Sequence, residues 1–482
     1  MKSLSISFYR HFFLVTICCF VLFVRQGRAQ SGSLEIGTAT RVITPDLGHW
    51  LQGAGIVKRV TKVHDNLEAN GIYFSNGENH ILMISCDLVG LEPDYETHLR
   101  EAMGVATGIS PRDVIISATH THGGPSLIRT NYIVPLDSAY MKKLKGWLID
   151  LAKEAVHSAQ PGEIGWATGK AQIGWNRRYT WADGSHTMHG DATRPDFTGL
   201  EGPDDPQQTT LFAKAKNGKL LAIMYNNTTH PVTFYGAGVY SSDFPGYARK
   251  KLRKKFGEKL PVLFLNGAQG DIEPRDGFHP RHVTRDEQVK RLGNVIYNGV
   301  MDQYHEVTSY NDNPEIKHVY KDLKVGVRLP TPQRLAKSRN VLARIDSGAH
   351  IRGLKMEMAF GAVHLQKEFG DAPFDILPIH AIRIGGLAIL TEPCELYCQF
   401  GLNIKRRSPV KTTMVVGLTD GYHGYVPTIY GLLGGGYSGK AISWTRLKPY
   451  AGYRIVETAS QLLNKLWSTF KNTDEKEIAT SK

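Results

Sequence analysis

The segment VIISATHTHGGP, residues 114–125, carries two histidines directly after an apolar run. Residues 114–118 have the apolar pattern of a buried strand. An extended chain places His120 and His122 on the same side, because side chains alternate with a period of two. Neutral imidazole is a good zinc ligand. Taken alone, the segment leaves two interpretations open: a metal-binding pair, or two histidines held by hydrogen bonds in a loop.

Three other apolar runs end in the same way. His230 follows the run 220–225, Glu395 follows 387–390, and the loop 266–273 follows 262–265. A single histidine such as His230 is more often a core residue than a ligand. In α/β proteins, however, ligand sites gather at the carboxyl ends of strands. Four strand ends with ligand-type residues therefore predict one converging site.

Strand and helix patterns alternate along the chain. Residues 138–157 show apolar side chains at spacings of three and four, and Asn217-Gly218 between two apolar runs predicts a hairpin. Further predicted helices span residues 95–103, 245–256, 287–304 and 333–345, and a second hairpin spans 382–390. The class is therefore α/β, with mixed β-sheets and flanking helices. We predict a single large domain over residues 33–466, followed by a polar tail at 467–482.

The N-terminus has the features of a secretory signal peptide. An apolar run at residues 12–24 follows Lys2 and Arg10, and small residues precede a cleavage point after Ala29. The run is shorter than the roughly 18 residues of a membrane span. We predict that residues 1–29 are removed and that the protein is exported to the periplasm or the medium. The alternative is an uncleaved anchor.

The composition narrows the class of protein. Hydrophobic residues make up 41% and charged residues 21%, which is globular and excludes a disordered or collagen-like chain. Of five cysteines, two lie within residues 1–29, so the rest do not form a disulfide scaffold. Cys394 and Cys398, spaced four apart as on one helical face, are expected to be buried. The net charge is +13, but lysines and arginines are scattered, so no nucleic-acid partner is expected.

Three further segments carry chemistry. The loop 266–275 places Asp271, Glu273 and Arg275 at alternating positions, which also fits a solvated acidic turn. Glu395 together with two histidines is typical of a catalytic zinc site with an open position. The segment 417–439 is rich in glycine and tyrosine, and is either an aromatic surface loop or a loop over the site.

In their order and wording, these motifs resemble the neutral/alkaline (non-lysosomal) ceramidase family. The resemblance extends over most of the chain after residue 40. The matching segments are RVITP at 41–45, ISCDL at 84–88, ISATHTHGGP at 116–125, Asn176-Arg177, THP at 229–231, DFPGYA at 243–248, the loop 266–274, PCE at 393–395, and Tyr425 with Tyr437.

The resemblance implies a fold, a metal and an activity. Members of the family hydrolyse the amide bond of N-acyl sphingosines with the help of zinc. The implied zinc ligands are His120, His230, Glu395 and Tyr425. The implied pocket residues that orient the substrate are His122, Arg177 and Tyr437.

Two departures from the family pattern affect the expected chemistry. The serine proposed as the family's nucleophile is replaced here by Glu273. A carboxylate cannot repeat the acyl-enzyme chemistry of a serine, but it can act as a general base or acid for a metal-activated water. The chain also ends soon after the core, so the family's immunoglobulin-like C-terminal domain is not expected.

The leading hypothesis is an exported zinc hydrolase that cleaves an N-acyl amide bond, with Glu273, His122, Arg177 and Tyr437 as catalytic residues. Its partner would be a small-molecule or lipid substrate, with peripheral contact to a membrane. One alternative is a metal-dependent lyase or hydrolase that acts on an acidic sugar, since the excess of positive charge favours an anionic partner. The other is a binding protein without catalytic activity.

Overall fold

The computed structural model describes residues 33–52, 58–129 and 134–468. The predicted signal peptide at residues 1–29 lies outside the described residues, and so does most of the predicted tail at 467–482. Within the described ranges, no helix is both long and apolar enough to cross a membrane.

The strands and helices alternate along the chain. The strands are β1 (Glu35–Val42), β2 (Lys62–Val63), β3 (Glu68–Ser75), β4 (His80–Cys86), β5 (Val114–Ala118), β6 (Gln160–Lys170), β7 (Trp175–Asn176), β8 (Arg178–Trp181), β9 (His186–Met188), β10 (Phe197–Leu200), β11 (Gln207–Ala215), β12 (Leu220–Asn227), β13 (Val239–Tyr240), β14 (Val262–Asn266), β15 (Ile272–Glu273), β16 (Ile316–Gly326), β17 (Phe374–Ile384), β18 (Leu387–Thr391), β19 (Glu395–Leu396), β20 (Thr412–Val416) and β21 (Tyr425–Val426). The α-helices are α1 (Pro93–Thr107), α2 (Ser138–His157), α3 (Asp243–Phe256), α4 (Arg285–Glu306), α5 (Pro332–Asp346), α6 (Leu354–Phe369), α7 (Cys398–Arg407), α8 (Ile429–Leu433) and α9 (Ala451–Trp467).

Two mixed sheets form the centre of the molecule. The larger has eight strands in the order β14-β12-β11-β6-β1-β3-β4-β5, and the smaller has four in the order β16-β17-β18-β20. Most neighbouring strands are antiparallel, but β4 and β5, β12 and β14, and β18 and β20 pair in parallel. The parallel pairs place the carboxyl ends of β5, β14 and β20 beside those of their partners. The loops that follow these strands therefore leave the sheets at the same edge, where ligand sites form in α/β proteins.

The two sheets pack face to face, and helices cover their outer faces. Ile115 and Leu263 of the large sheet share one apolar core with Ile389 of the small sheet. The next residues, Ile116 and Phe264, point the other way, into cores formed with the helices. The strands read as continuous apolar runs because both of their faces are buried. The result is a four-layer arrangement of helices, two sheets and helices.

The helices pack through apolar stripes. In α2, Leu144, Leu148 and Leu151 are buried at spacings of four and three. In α9, Ile455, Ala459 and Leu463 are buried in the core against the small sheet. These stripes give each sheet a helical cover on the side away from the other sheet.

The predicted α/β class with mixed sheets in one large domain is confirmed. Helix α2 has the predicted bounds, and both predicted hairpins are present as β11-β12 and β17-β18. The placement of Cys394 and Cys398 on one helical face is wrong. Both side chains are buried, but Cys394 precedes β19 and Cys398 begins α7.

Candidate functional site

Four loops at strand ends bring the predicted metal ligands together. His120 follows β5, His230 follows β12, and Glu395 begins β19 shortly after β18. Tyr425 begins β21, which pairs in parallel with β19 so that Glu395 lies opposite Tyr425. Residues from both sheets therefore meet at one point.

The distances at this point are short. Nε2 of His230 lies 2.9 Å from Oε2 of Glu395, and Nε2 of His120 lies 3.3 Å from the same oxygen. Nε2 of His122 lies 3.4 Å from Nε2 of His120. One ligand nitrogen from each of the three histidines lies within 4.8 Å of the other two. His122, predicted as a pocket residue, is thus also placed where it could bind a metal.

The hydrogen bonds of the two buried histidines fix the form of their rings. Nδ1 of His120 donates to the Val89 carbonyl oxygen at 2.6 Å, and Nδ1 of His230 donates to that of Ile272 at 2.9 Å. A carbonyl oxygen only accepts, so the proton of a neutral ring must be on Nδ1. Burial, and then Arg177, lower the pKa of His230 well below its ordinary value, which keeps that ring neutral. Nε2 of each ring therefore presents its lone pair to the common point, as a metal requires.

The backbone at His120 is in a conformation that side-chain-bearing residues rarely adopt. Its φ is 71°. Such positions carry strain and occur where the surrounding structure holds the residue in place. Here the backbone N–H of His120 donates to the Leu88 carbonyl oxygen at 2.8 Å. The hydrogen bonds of its backbone and of Nδ1 thus hold His120 with Nε2 near Glu395.

Glu395 is oriented by a neighbour. Oη of Tyr422 donates to Oε1 at 2.6 Å. This leaves Oε2 facing the histidines, so Tyr422 sets which carboxylate oxygen faces the common point.

Arg177 closes the other side of the cluster. Its Nη2 lies 2.9 Å from Nε2 of His230 and donates to the Tyr425 hydroxyl at 3.2 Å and the Gly270 carbonyl oxygen at 2.9 Å. Its Nε is buried and has no hydrogen-bond partner within the described ranges. Burial, and then Glu395, raise the pKa of Tyr425 well above its ordinary value, so its hydroxyl stays protonated. The cluster therefore has donors available for negative charge.

The loop 266–275 separates into three roles. Asp271 is buried and accepts from the Cys398 backbone N–H at 2.7 Å and from Nδ2 of Asn176 at 2.8 Å, and burial raises its pKa to about 7. Glu273 in β15 is 6% exposed, and its Oε1 lies 3.1 Å from Nδ1 of His189. Arg275 is exposed. The alternative of a solvated acidic turn does not fit Asp271 or Glu273.

Gly270 allows this loop to approach Glu395 closely. A Cβ added at Gly270 would lie 2.3 Å from the Glu395 carbonyl oxygen, a contact that real side chains do not make. Any larger residue would push the loop away. Glycine is thus required for Glu273 and Glu395 to belong to the same site.

All of the predicted site residues line one cavity of about 710 Å³. The set comprises His120, His122, Arg177, His230, Glu273, Glu395, Tyr425 and Tyr437. The ring of Tyr437 packs between Tyr425 and Trp444, with centroid separations of 5.7 and 5.5 Å. Other parts of the wall are apolar, and include Val89, Ile128, Val232, Leu354 and Trp444. The cavity therefore combines a polar cluster with space for an apolar group.

Three lining residues were missed from the sequence. Tyr422 lies in the segment 417–439, where the density of tyrosine was the available signal. His189 lies on a loop between short strands, with a φ of 71°. Glu357 in α6 has an Oε1 with no hydrogen-bond partner among the residues described, and burial raises its pKa to about 7. No motif in the sequence distinguishes His189 or Glu357.

Comparisons with known proteins support the fold. No protein-family model matches the sequence, and no curated protein matches it either. Among solved structures, the chain is similar to neutral ceramidase from Pseudomonas aeruginosa, with a TM-score of 0.70 and 16% identity over 90% of this chain and 74% of that one. It is equally similar to a ceramidase complexed with C2, with a TM-score of 0.70 and 17% identity over 90% and 75% of the two chains. The chain thus has a neutral-ceramidase-like fold.

Proposed function

We propose that the protein is a zinc-dependent hydrolase that cleaves an N-acyl amide bond. The observation that carries the proposal is the convergence of Nε2 of His120, Nε2 of His230 and Oε2 of Glu395 in the wall of a partly apolar cavity. The Nδ1 protons of both rings are already engaged by backbone carbonyl oxygens. A ligand set prepared in this way suits a metal better than it suits a core contact.

The donor set fits zinc. Two imidazoles and one carboxylate are a typical ligand set of catalytic zinc. We assign His120, His230 and Glu395 as ligands, with Tyr425 as the fourth and His122 as the competing candidate for that place, and the attacking water would take a further position. When bound, zinc would supply Lewis acidity toward a carbonyl and toward water.

The remaining residues would move protons and stabilise charge. Glu273 would accept the proton of the attacking water and return it to the leaving amine. His189 beside its Oε1 would stabilise the ionised carboxylate. The guanidinium of Arg177 and the protonated hydroxyl of Tyr437 would donate to the negative charge that develops on the carbonyl oxygen. In this scheme the reaction proceeds by general base catalysis through Glu273, and no covalent acyl-enzyme intermediate is formed.

The cavity supports an N-acyl substrate. Val89, Ile128, Leu354 and Trp444 provide an apolar wall beside the polar cluster. An acyl chain could lie along this wall while its amide carbonyl faces the cluster. The similarity in fold to neutral ceramidases agrees with this class of bond, and ceramide is the reference substrate for the test.

The decisive experiment combines metal analysis with turnover. We expect the purified full chain to contain about one zinc per molecule, and a chelator to abolish hydrolysis of N-acyl lipids. We expect Glu273→Gln to lower kcat roughly 10²–10⁴-fold, because it removes the base, while zinc content stays unchanged. Glu258→Gln, at an exposed position that is not part of the cavity wall, serves as the matched control.

Three outcomes would contradict the proposal. Full turnover by Glu273→Gln would remove its assigned role. Release of an unsaturated, ultraviolet-absorbing product from uronate oligosaccharides would instead favour a lyase. Bound zinc with no change in any substrate would favour a binding protein.

We also propose that residues 1–29 direct export. The support is the basic, apolar and small-residue order of that segment. Cell fractionation together with N-terminal sequencing of the mature protein tests it. Cleavage after Ala29 is the expected result, and an intact N-terminus in the cytoplasm would contradict it. The peripheral membrane contact stays a prediction.

A further inference from the structure

A second cavity, of about 310 Å³, adjoins the main cavity. The two share Glu273 and Val232 in their walls. The side chains that set its character are four arginines, Arg275, Arg281, Arg285 and Arg291, which we call the arginine compartment. The compartment therefore begins at the residue to which we assign the catalytic base.

The positive charge of the compartment is only partly balanced by its acidic residues. Within the described ranges, none of its four arginines has a carboxylate oxygen within 4.0 Å of a guanidinium nitrogen. The acidic residues of the wall are Glu273 and Asp276. Asp276 accepts from the backbone N–H groups of Phe278 and His279, and Glu273 faces His189. Two carboxylates therefore face four guanidinium groups, which leaves an excess of positive charge.

Neutral groups hold two of the arginines in place. Arg285 donates to the Thr233 carbonyl oxygen at 3.0 Å and to that of Tyr235 at 3.2 Å. Arg291 donates to the Pro274 carbonyl oxygen at 3.4 Å and to Oε1 of Gln288 at 3.3 Å. Carbonyl oxygens orient a guanidinium without cancelling its charge. The guanidinium groups of Arg285 and Arg291 are therefore held in a fixed orientation, and their positive charge is still available to an anion.

Repulsion within the compartment points the same way. Burial, and then the positive charge of Arg281, lower the pKa of Arg291 below its ordinary value. An anion between these guanidinium groups would relieve that repulsion. Arginine also binds planar or tetrahedral oxyanions with two parallel hydrogen bonds, which lysine cannot do.

We propose that the arginine compartment binds an anionic oxygen group, a carboxylate or a sulfonate, on the amine part of the substrate. The acyl chain would then lie in the main cavity, and the amide bond would lie beside Glu273 between the two. The inference rests on the proposed amide hydrolysis and narrows its substrates to N-acyl compounds that carry an acid group. A neutral N-acyl compound would leave the compartment without a partner.

Matched substrates test the proposal with the zinc-loaded full chain. N-dodecanoylglycine and N-dodecanoyltaurine carry an anion, whereas N-dodecanoylethanolamine has the same acyl chain and no charge. We expect kcat/KM to be at least roughly tenfold higher for the anionic pair, mostly through KM. That advantage should fall as salt concentration rises, because the compartment is open to solvent.

Variants connect the preference to the compartment. Arg281→Gln and Arg291→Gln should each raise KM for the anionic substrates and leave the neutral one unchanged. Arg281 is exposed, so its variant should fold even if Arg291→Gln does not. Arg339→Gln, an exposed arginine on α5, is the matched control and should change neither substrate. Equal kcat/KM for anionic and neutral substrates would overturn the proposal.

Binding of inorganic sulfate separates this proposal from the proposed function. Calorimetric titration of the full chain should detect sulfate binding that is lost in Arg281→Gln. Sulfate binding without amide hydrolysis would support the compartment and overturn the hydrolase. Amide hydrolysis with neither sulfate binding nor anionic preference would support the hydrolase and overturn the compartment.

Discussion

Among the residues that the structure describes, two of the buried groups of histidines and carboxylates differ in what their polar atoms face. The first, which we call the cavity cluster, consists of His120, His122, His230 and Glu395. The second, which we call the inner cluster, consists of His318, His380, Asp113, Asp420, Arg100 and Glu96. The inner cluster lines none of the cavities described above.

The inner cluster is a chain in which every ring nitrogen of its histidines has a neighbour. Nδ1 of His318 lies 2.7 Å from Asp113, and its Nε2 lies 2.9 Å from Nδ1 of His380. Nε2 of His380 lies 3.2 Å from Asp420. Burial, and then His318, lower the pKa of His380 well below its ordinary value, while burial raises that of Asp420.

The cavity cluster differs because its Nε2 atoms converge instead of forming a chain. Burial and shifted pKa values occur in both clusters. They therefore do not identify a site by themselves. Convergence of lone pairs beside a cavity does.

The inner cluster supports the cavity cluster from behind. Oδ1 of Asp420 accepts from the Ile116 backbone N–H at 3.0 Å, and the Asp420 N–H donates to the Ile116 carbonyl oxygen at 2.9 Å. Strand β5, which leads to His120, is thereby fixed to the loop that leads to Tyr422 and Tyr425. The comparison predicts that changes in the cavity cluster mainly reduce activity, whereas changes in the inner cluster mainly reduce the free energy of unfolding.

The largest expected effect is on activity, from His120→Ala. Loss of a ligand should remove zinc and lower turnover by more than the roughly 100-fold typical of changes to residues that only orient ligands. The free energy of unfolding of the metal-free protein should fall by only about 1–2 kcal/mol, because the buried Val89 carbonyl oxygen loses its donor. Metal analysis, turnover and thermal unfolding check this, with the exposed His98→Ala as control. If the His120→Ala variant kept its zinc and its full activity, the functional role assigned to the cavity cluster would be contradicted.

The next largest effect should be on stability, from His380→Ala. Removing this ring takes one partner away from the buried Asp420, which also contacts Arg100. The loss should lower the free energy of unfolding by about 3 kcal/mol. Zinc content per folded molecule should stay the same. Urea unfolding with metal analysis of the folded fraction measures both. A loss of zinc without a loss of stability would reverse the assigned roles.

Tyr422→Phe should have a smaller effect, confined to the cavity cluster. The variant removes the hydroxyl that orients Glu395 and keeps the ring. We expect zinc affinity to fall roughly 10- to 100-fold, with the fold intact. Competition with a chromogenic chelator measures the affinity. Tyr430→Phe, on an exposed ring, is the control, and equal affinities would show that Tyr422 does not position the ligand.

The smallest effect should come from Glu357→Gln. The pKa of Glu357 is raised to about 7, so between pH 4.5 and 7 the folded protein holds a proton that the unfolded chain has lost. The free energy of unfolding should therefore decrease as pH rises through this window, by roughly 2 kcal/mol from this group. The glutamine variant should lack that part of the slope. Urea unfolding at pH 5 and pH 8 compares the two, and identical slopes would contradict the prediction.

Much of the fold could be predicted from the sequence because its signals are local. The stripe of α2 and the turn at Asn217-Gly218 are each contained in one short segment. Helix α6, which carries Glu357, was not predicted. The residues that pack against it come from distant parts of the chain, so the pattern of its own residues does not predict its position.

The site could be predicted in part for a related reason. Strand ends and the family resemblance located His120, His230, Glu395 and Tyr425, which the structure brings together. Their roles as ligands stay predictions. The sequence could not reveal that Nε2 of His122 joins the same group, since that depends on how the loop after β5 turns. It also could not reveal that Tyr422 reaches Glu395.

The long stretch of chain between His230 and Glu395 has a consequence for how the protein folds. Two of the predicted ligands, His120 and His230, follow strands of the large sheet, and the other two, Glu395 and Tyr425, begin strands beside the small sheet. More than a hundred residues separate His230 from Glu395. Contacts so distant in sequence form late, because a long loop must close before they can be made. The cluster is therefore complete only after the two sheets have docked. The rate of zinc uptake during refolding would then report the final assembly step.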